Sequence, residues 1–262
     1  SHGEGVGLTS ADRSTQRNTQ HMSSKIWLGK LTRREFRTRM DAGELKLAIL
    51  PVAAVEQHLE HLAMEHDWRS ARLIAGAVAE QLAPHALVAE GLMAGISEHH
   101  MVHRGTLSLQ PGTFLAVVSD LVDSLVRAGF TNILVLNGHG GNIAACEAVW
   151  DQFLRKFQVN VHFFPYWNVL TKEDAIELLD SGARLPEDLP GHAQEFETAM
   201  ALHLFPENVR QEVWKDQTDP KPSMATAEKG QAFYERIIAR VTDYARDMID
   251  GKHTHAIPPY HP

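Results

Sequence analysis

The sequence predicts an α/β fold of three layers, in which helices cover both faces of a mainly parallel central sheet. Two observations support this prediction. Short segments that are apolar throughout alternate with longer segments whose apolar residues recur at helical spacing. Strands without a polar face are typical of sheets buried on both sides, and helices are the usual crossovers between parallel strands. Ligands of such sheets bind at the carboxyl ends of the strands.

Four strands are predicted, at 47–52, 86–92, 131–136 and 160–164. The first reads LAILPV and the third TNILVL, and neither carries a charge. Helical periodicity predicts helices at 67–82, 112–128, 142–157, 193–205 and 226–249. Pro84 follows the first of these, and Gly129 follows the second, where a glycine often ends a helix.

The domain prediction separates a short N-terminal arm from the folded chain. Residues 1–24 are polar and lack periodicity, which indicates a disordered arm or an expression-vector remnant. Residues 25–262 are predicted to form a single domain, a length sufficient for a substantial core.

Composition excludes several classes of protein. A net charge of -8 argues against nucleic-acid binding, and no apolar segment is long enough to predict a membrane span. The single cysteine excludes intramolecular disulfides and thiolate metal clusters. Without a recognisable secretory leader, a cytoplasmic location is expected. The 16 histidines, several beside carboxylates, suit a divalent metal site.

The first candidate cluster follows the strand at 47–52. Glu56 and His58 are two residues apart, so in an extended segment their side chains point to the same side. Asp67 opens the next helix, where free backbone amides favour a carboxylate. The alternative is that Asp67 only caps the helix and that Glu56 and His58 lie on a surface loop.

The second cluster, residues 137–142, reads NGHGGN and follows the third strand. Glycines on both sides of His139 allow a sharp turn that aims its imidazole into the crevice. The alternatives are a plain glycine turn or a nucleotide-binding loop, although the segment matches neither common phosphate-binding pattern.

The third cluster begins the helix at 193–205. His192 and Glu195 are three residues apart and can meet on one face, whereas Glu195 and Glu197 cannot. The alternative is a helix start with acids placed favourably for the helix dipole. Taken together, the three clusters supply the carboxylates and imidazoles that a two-metal site requires.

The residues of these clusters resemble the creatininase (creatinine amidohydrolase) family, in its GHGGN-type branch, from about residue 47 to 245. The matching stretches are PVAAVEQHLEHLAMEHD at 51–67, GISEHHMVHRGTLSL at 95–109, GFTNILVLNGHGGN at 129–142, GHAQEFET at 191–198 and MATAEKG at 224–230. The NGHGGN match and the spaced Glu-x-His…Asp are the specific ones.

The resemblance implies a homohexameric α/β/α hydrolase with two divalent ions per chain, zinc or manganese, with iron(II) as a further candidate. It implies that Glu56 and His139 hold one ion, that His58 and Glu195 hold the other, and that Asp67 bridges them. His192 is then the proton donor to the leaving group, and Glu197 a catalytic or supporting carboxylate. Positions expected near the substrate are Ser97, His100, Gly140 and, as a pocket wall, Trp167.

The chain also departs from the family pattern. Leu59 and Glu60 replace the glycine and proline of EQHGPH, and Gln194 replaces a common glycine. Gly140 and Gly141 stand where creatininases have tyrosine and glutamate, which disfavours creatinine as the substrate and leaves Glu195 to replace the missing carboxylate.

The expected function is hydrolysis, in which a metal-bridging hydroxide attacks a carbonyl of a small cyclic amide or formamide. The alternatives are hydrolytic C–C ring opening of a cyclic diketone such as an oxidised inositol, and a non-catalytic metal-binding regulatory protein. The expected partners are a small-molecule substrate and further copies of this chain, with neither nucleic acid nor membrane.

Overall fold

Four parallel strands form the central sheet of the structure, a computed structural model that describes residues 25–181 and 189–261. The strands are β1 (Leu47–Val52), β2 (Ala86–Val88), β3 (Asn132–Asn137) and β4 (Asn160–Pro165). They lie in the order β2-β1-β3-β4, and each neighbouring pair is parallel. The arm predicted at 1–24 lies outside the described residues.

Among the described α-helices, one precedes β1, three connect the strands, and three follow β4. They are α1 (Arg33–Asp41), α2 (His66–Gln81), α3 (Pro111–Arg127), α4 (Ile143–Phe157), α5 (Lys172–Leu178), α6 (Glu195–Leu204) and α7 (Ala227–Ile249). The five predicted helices are confirmed to within two residues at each end. Two helices were missed, although α1 and α5 both begin with a capping box, built from Thr32 and Glu35 and from Thr171 and Asp174.

The strand residues alternate between two cores, one on each face of the sheet. Leu47 and Ile49 belong to a core that includes side chains of α2, α6 and α7, such as Ile237. Ala48 and Leu50 belong to a second core with side chains of α3 and α4. The predicted three-layer α/β/α arrangement is therefore confirmed. Among the described helices, none is both long and apolar enough to span a bilayer.

The second strand is shorter than the predicted segment 86–92. Glu90 and Gly91 have φ angles of 55° and 111°, which turn the chain out of the extended conformation. Leu92 returns to the sheet edge as an isolated bridge to Val52. In the centre of the sheet Val52 pairs with Asn137. The loops that follow β1 and β3 therefore leave the sheet side by side.

Candidate metal centre

The loops after β1 and β3 are held against the first turn of α2 by close packing at Gly138. A Cβ atom at this position would lie 2.7 Å from the carbonyl oxygen of Asp67 and 2.8 Å from Cβ of Ala71. Only glycine lets the β3 loop approach α2 so closely. This contact places Asp67 beside His139.

Asp67 shares its carboxylate between two imidazoles. Oδ1 lies 3.0 Å from Nε2 of His58, and Oδ2 lies 2.9 Å from Nδ1 of His139. The other nitrogen of each ring faces a backbone carbonyl: His58 Nδ1 is 3.0 Å from the oxygen of Glu56, and His139 Nε2 is 2.9 Å from that of Ile96. A carbonyl only accepts, so these nitrogens carry protons; the nitrogen that faces Asp67 donates to it when the ring is protonated, and offers a lone pair to a metal ion when the ring is neutral. Metal-binding histidines are typically oriented in this way.

Two further buried carboxylates flank Asp67. Glu56 Oε1 lies 3.4 Å from Nδ1 of His139, while its Oε2 is buried without a hydrogen-bond partner among the described residues. Glu197 Oε2 lies 3.7 Å from Nε2 of His58 and accepts a hydrogen bond from the backbone amide of Ala193 at 2.6 Å. Four of the five predicted ligands, Glu56, His58, Asp67 and His139, are thus close together.

Glu195, the fifth predicted ligand, does not join them. Its Oε1 lies 2.6 Å from Lys229 Nζ, and its two oxygens accept hydrogen bonds from the amides of Asp180 and Ser181. Residues two apart on a helix point about 200° apart, so only one of Glu195 and Glu197 can face Asp67. The structure corrects the prediction by placing Glu197, and not Glu195, beside His58.

A glutamine orients two more histidines at the mouth of the cluster. The side-chain amide nitrogen of Gln57 lies 2.8 Å from Nδ1 of His100 and 2.9 Å from Nε2 of His192. The amide NH₂ can only donate, so these ring nitrogens accept. The remaining N–H of each neutral ring then faces Glu56 Oε1, at 3.6 Å for His100 and 3.6 Å for His192.

The electrostatics of the centre favour added positive charge. Burial alone lowers the pKa of His58, but Asp67 and Glu197 outweigh it and raise that pKa to about 9. Burial also lowers the pKa of His139. The hydrogen bonds from this ring to Asp67 and Glu56 outweigh burial and raise the pKa to about 10. Burial raises the pKa of Glu197 above its usual range. A buried acidic cluster of this kind needs cations, whether protons or metal ions.

Burial determines the pKa of two further imidazoles, because their acidic neighbours do not outweigh it. It lowers the pKa of His192 to about 4, aided by the charge on His58. It also lowers the pKa of His66, the fully buried neighbour of Asp67, to about 3. Both rings are therefore neutral at pH 7, and each has one nitrogen lone pair, which in His192 accepts the hydrogen bond from Gln57 and in His66 has no partner among the described residues.

The donor set fits divalent cations. Ligand atoms within 4.8 Å of one another occur in several groups of three, including Glu56 with His58 and Asp67, Glu56 with His99 and His139, and His58 with His192 and Glu197. Mixed imidazole and carboxylate donors suit zinc, manganese and iron. Oε2 of Glu56, which is buried without a hydrogen-bond partner among the described residues, is a further possible ligand atom.

The cluster opens into a cavity of about 330 Å³. The residues that line it are Glu56, Asp67, His99, His100, His139, Gly140, Gly141, Pro190, His192 and Glu197. Ser97 is buried behind this surface, with its hydroxyl 3.3 Å from Nε2 of His139. Of the predicted substrate-binding positions, His100 and Gly140 therefore lie in the cavity wall, and Ser97 contacts a wall residue.

Trp167 is in a different place from the one predicted. It is buried in the core beneath α7, and its ring packs against Tyr166 at 5.0 Å between centroids. The short helix after β4 turns both aromatic side chains inward. The prediction that Trp167 walls the pocket is corrected, because its indole is used in core packing.

Three contributors were not singled out from the sequence. His99 stacks on His139, with ring centroids 5.9 Å apart and an interplanar angle of 11°. Asn142 accepts from the amide of Ile96 and donates to the carbonyl of Ala53, which ties three loops together. Gln57 is the third. All three are polar residues beside a predicted site residue, and that proximity was the available signal.

Comparison with known proteins gives a consistent result. The family model named Creatininase, described as creatinine amidohydrolase, matches residues 29–224. A creatinine amidohydrolase of Pseudomonas putida is 31% identical over 199 residues, which cover 72% of this chain and 75% of that protein. A 3-dehydro-scyllo-inosose hydrolase of Thermotoga maritima is 28% identical over 200 residues, covering 75% of this chain and 61% of that protein. A mycofactocin precursor peptide peptidase of Mycolicibacterium smegmatis is 28% identical over 194 residues, covering 72% and 68%.

Solved structures show the same likeness. A creatininase variant described as the Zn-Zn type superposes with a TM-score of 0.73 at 26% identity, covering 86% of this chain and 98% of that one. A manganese creatininase gives a TM-score of 0.73 at 26% identity, covering 86% and 99%. Each similarity extends over nearly the whole of the solved chain.

Proposed function

The chain belongs to the creatininase family and is a metal-dependent hydrolase, and on that premise we propose that it uses two divalent ions to hydrolyse a small cyclic substrate. The observation that carries the proposal is the position of Asp67. Its two carboxylate oxygens face His58 on one side and His139 on the other. A carboxylate between two imidazoles is the arrangement expected of a ligand that bridges two ions.

The ligands divide into two groups around Asp67. Glu56 and His139 would hold one ion, and His58 and Glu197 the other, with Asp67 shared between them. Zinc and manganese are the favoured metals, because both suit this donor set and both occur in the names of similar creatininase structures.

His192 is the proposed proton donor to the leaving group. When bound, the metal ions lower the pKa of a water toward neutrality and polarise a carbonyl. Gln57 donates to Nε2 of His192, so the proton of the neutral ring is on Nδ1, the atom that faces Glu56 and the cavity. To act as the donor, the ring would first take up the proton that the attacking water releases, and the resulting imidazolium would pass a proton to the departing amine or alcohol, which leaves the ring neutral again.

The cavity supports a small, uncharged substrate. Among the described residues, neither lysine nor arginine lines it, so no permanently cationic side chain is available to pair with an anionic group away from the ions. Its volume of about 330 Å³ is suited to a small molecule. A cyclic amide or a formamide meets both conditions.

A cyclic diketone is the second candidate, opened by hydrolysis of a C–C bond. It is favoured by Gly140, where a Cβ atom would meet nothing within 4 Å. The wall is therefore open on that side to ring substituents that an aromatic side chain would exclude. The similarity to an inosose hydrolase supports the same alternative.

The test combines metal analysis with a substrate panel. The purified chain is expected to bind about two divalent ions and to hydrolyse a member of a set of cyclic amides, formamides and cyclic diketones. His139→Ala should abolish turnover while circular dichroism stays unchanged, and His203→Ala, on α6 outside the cluster, should leave turnover intact. Undiminished turnover in His139→Ala would remove the proposal.

A further inference from the structure

His66 is a buried histidine with no assigned role. It is the first residue of α2, directly before Asp67, and its side chain is fully buried. Neither ring nitrogen has a hydrogen-bond partner among the described residues. Buried polar groups are normally paired, because leaving one unpaired costs free energy. The position of the imidazole therefore requires a compensating interaction.

The neighbours of His66 indicate what that interaction is. A ring nitrogen of His66 and carboxylate oxygens of Asp67 and Glu197 all lie within 4.8 Å of one another. On another side the ring packs against Phe205, with centroids 5.7 Å apart. The ring of His58 is 5.1 Å away, also between centroids. The imidazole is thus enclosed by an apolar wall on one side and by two buried acids on the other.

We propose that His66 is an additional ligand of the ion held by His58, Asp67 and Glu197. This inference rests on the proposed function, because it requires that ion. The ion would then have four protein ligands, two imidazoles and two carboxylates. The ion at Glu56 and His139 would have only three, counting the shared Asp67.

The difference in ligand number assigns different properties to the two ions. A zinc ion with four protein ligands resembles a closed structural site, whereas three protein ligands leave a position for water or substrate. The ion beside His66 is therefore expected to bind more tightly and to exchange more slowly. The ion beside Glu56 is expected to be the one that the substrate contacts.

The first test is His66→Phe in the full chain, titrated with zinc and separately with cobalt(II). Phenylalanine fills a similar volume next to Phe205 but offers no nitrogen. One of the two ions is expected to bind at least about tenfold more weakly, with a changed cobalt(II) visible spectrum, because a nitrogen donor is lost. His61→Phe is the matched control: it removes a buried imidazole from the loop directly before α2, and this imidazole is already bonded to Thr198.

The second test uses the unmodified chain and does not depend on the variant folding. A crystal structure of the zinc-loaded protein should place a His66 nitrogen about 2.0–2.1 Å from an ion. Two bound ions that are both remote from His66, or an unchanged cobalt(II) spectrum in a folded His66→Phe, would overturn this inference alone. Failure of the unmodified chain to bind any divalent ion would overturn the proposed function with it.

Discussion

Oδ2 of Asp67 lies 2.9 Å from Nδ1 of His139, so the first turn of α2 contacts the loop that follows β3. The two residues are far apart in sequence and meet because Gly138 permits the close approach. The contact makes Asp67 the residue common to both halves of the centre.

Asp67→Asn is expected to reduce metal content from about two ions per chain to one or none, and to abolish turnover. An amide lacks the negative charge that a shared ligand contributes to both ions. Elemental analysis after dialysis measures the change, with Glu60→Gln, an exposed acid in the loop before α2, as the control. Two ions retained in Asp67→Asn would contradict the shared role.

Glu195 and Glu197 allow a matched comparison within one turn of α6. Glu197→Gln should lose one ion and keep its thermal stability, because the side chain faces His58. Glu195→Gln should keep both ions and lower the free energy of unfolding by about 1.5–3 kcal/mol, because it weakens a charged hydrogen bond to Lys229.

Metal analysis and chemical denaturation of the two variants together measure both effects. The reverse pattern, with loss of metal in Glu195→Gln only, would restore the ligand assignment predicted from the sequence.

His192→Gln is expected to lower kcat by about 10²–10⁴-fold while both ions stay bound. The reason is that the imidazole that would carry a proton to the leaving group is lost, whereas the proposed ligands are untouched. Steady-state kinetics on whichever substrate is found, with metal content measured in parallel, separates the two effects. A parallel fall in metal content would identify His192 as a ligand instead.

Zinc binding to the metal-free chain is expected to release protons and to weaken as the pH falls. Burial lowers the pKa of His58 and of His139, but their acidic neighbours outweigh it and raise these values to about 9 and 10. Both rings are therefore protonated at pH 7 in the metal-free chain. Each must lose its proton to bind an ion. Burial also raises the pKa of the proposed ligand Glu197, to about 8, so its proton is released as well, and three released protons change the affinity about 1000-fold per pH unit below about pH 7.

Calorimetry in buffers of different ionisation enthalpy, repeated at pH 6, 7 and 8, measures the number of protons. Equal heats in all buffers at pH 7 would show that the imidazoles are already neutral in the metal-free protein.

Acid should destabilise the fold through Asp174, which caps α5 and contacts Arg236 and Arg240 of α7. Burial raises the pKa of Asp174, but these arginines and Thr171 outweigh it and hold that pKa well below the usual range. Its contribution is therefore complete above about pH 5 and is lost as the pH falls through the folded pKa.

Asp174→Asn should lower the free energy of unfolding by about 1.5–3 kcal/mol at pH 7, and by progressively less as the pH falls below 4. Urea denaturation at several pH values measures this. Glu177→Gln is the control, since Glu177 pairs with the same Arg236 but is 64% exposed, where ion pairs contribute about 0–1 kcal/mol.

The fold was largely predictable because its signals are local. The strand at 47–52 was predicted at its observed bounds, and α3 to within one residue, because apolar runs and helical stripes depend only on nearby residues. Helices α1 and α5 were missed because α1 buries no residue completely and α5 has only seven residues, so neither has a strong stripe.

The choice between Glu195 and Glu197 was not predictable from the sequence. Every residue from Glu195 to Ala201 is buried, so α6 has no polar face from which its orientation can be deduced. The orientation is set by contacts distant in sequence, such as the edge-to-face packing of Phe196 on Phe233 of α7. Trp167 is a similar case, since the sequence does not distinguish an aromatic in the core from one in a pocket.

Gly141 limits how this enzyme can be redesigned. A Cβ atom there would lie 2.1 Å from the carbonyl oxygen of Ile96 and 2.5 Å from Nε2 of His139. That carbonyl is also the group that orients the His139 ring. Grafting a side chain into this turn to imitate creatininases would displace the group that supports His139, a proposed metal ligand. A point substitution at Gly141 is therefore not enough to change the specificity of this chain. The segment 95–97 would have to move as well.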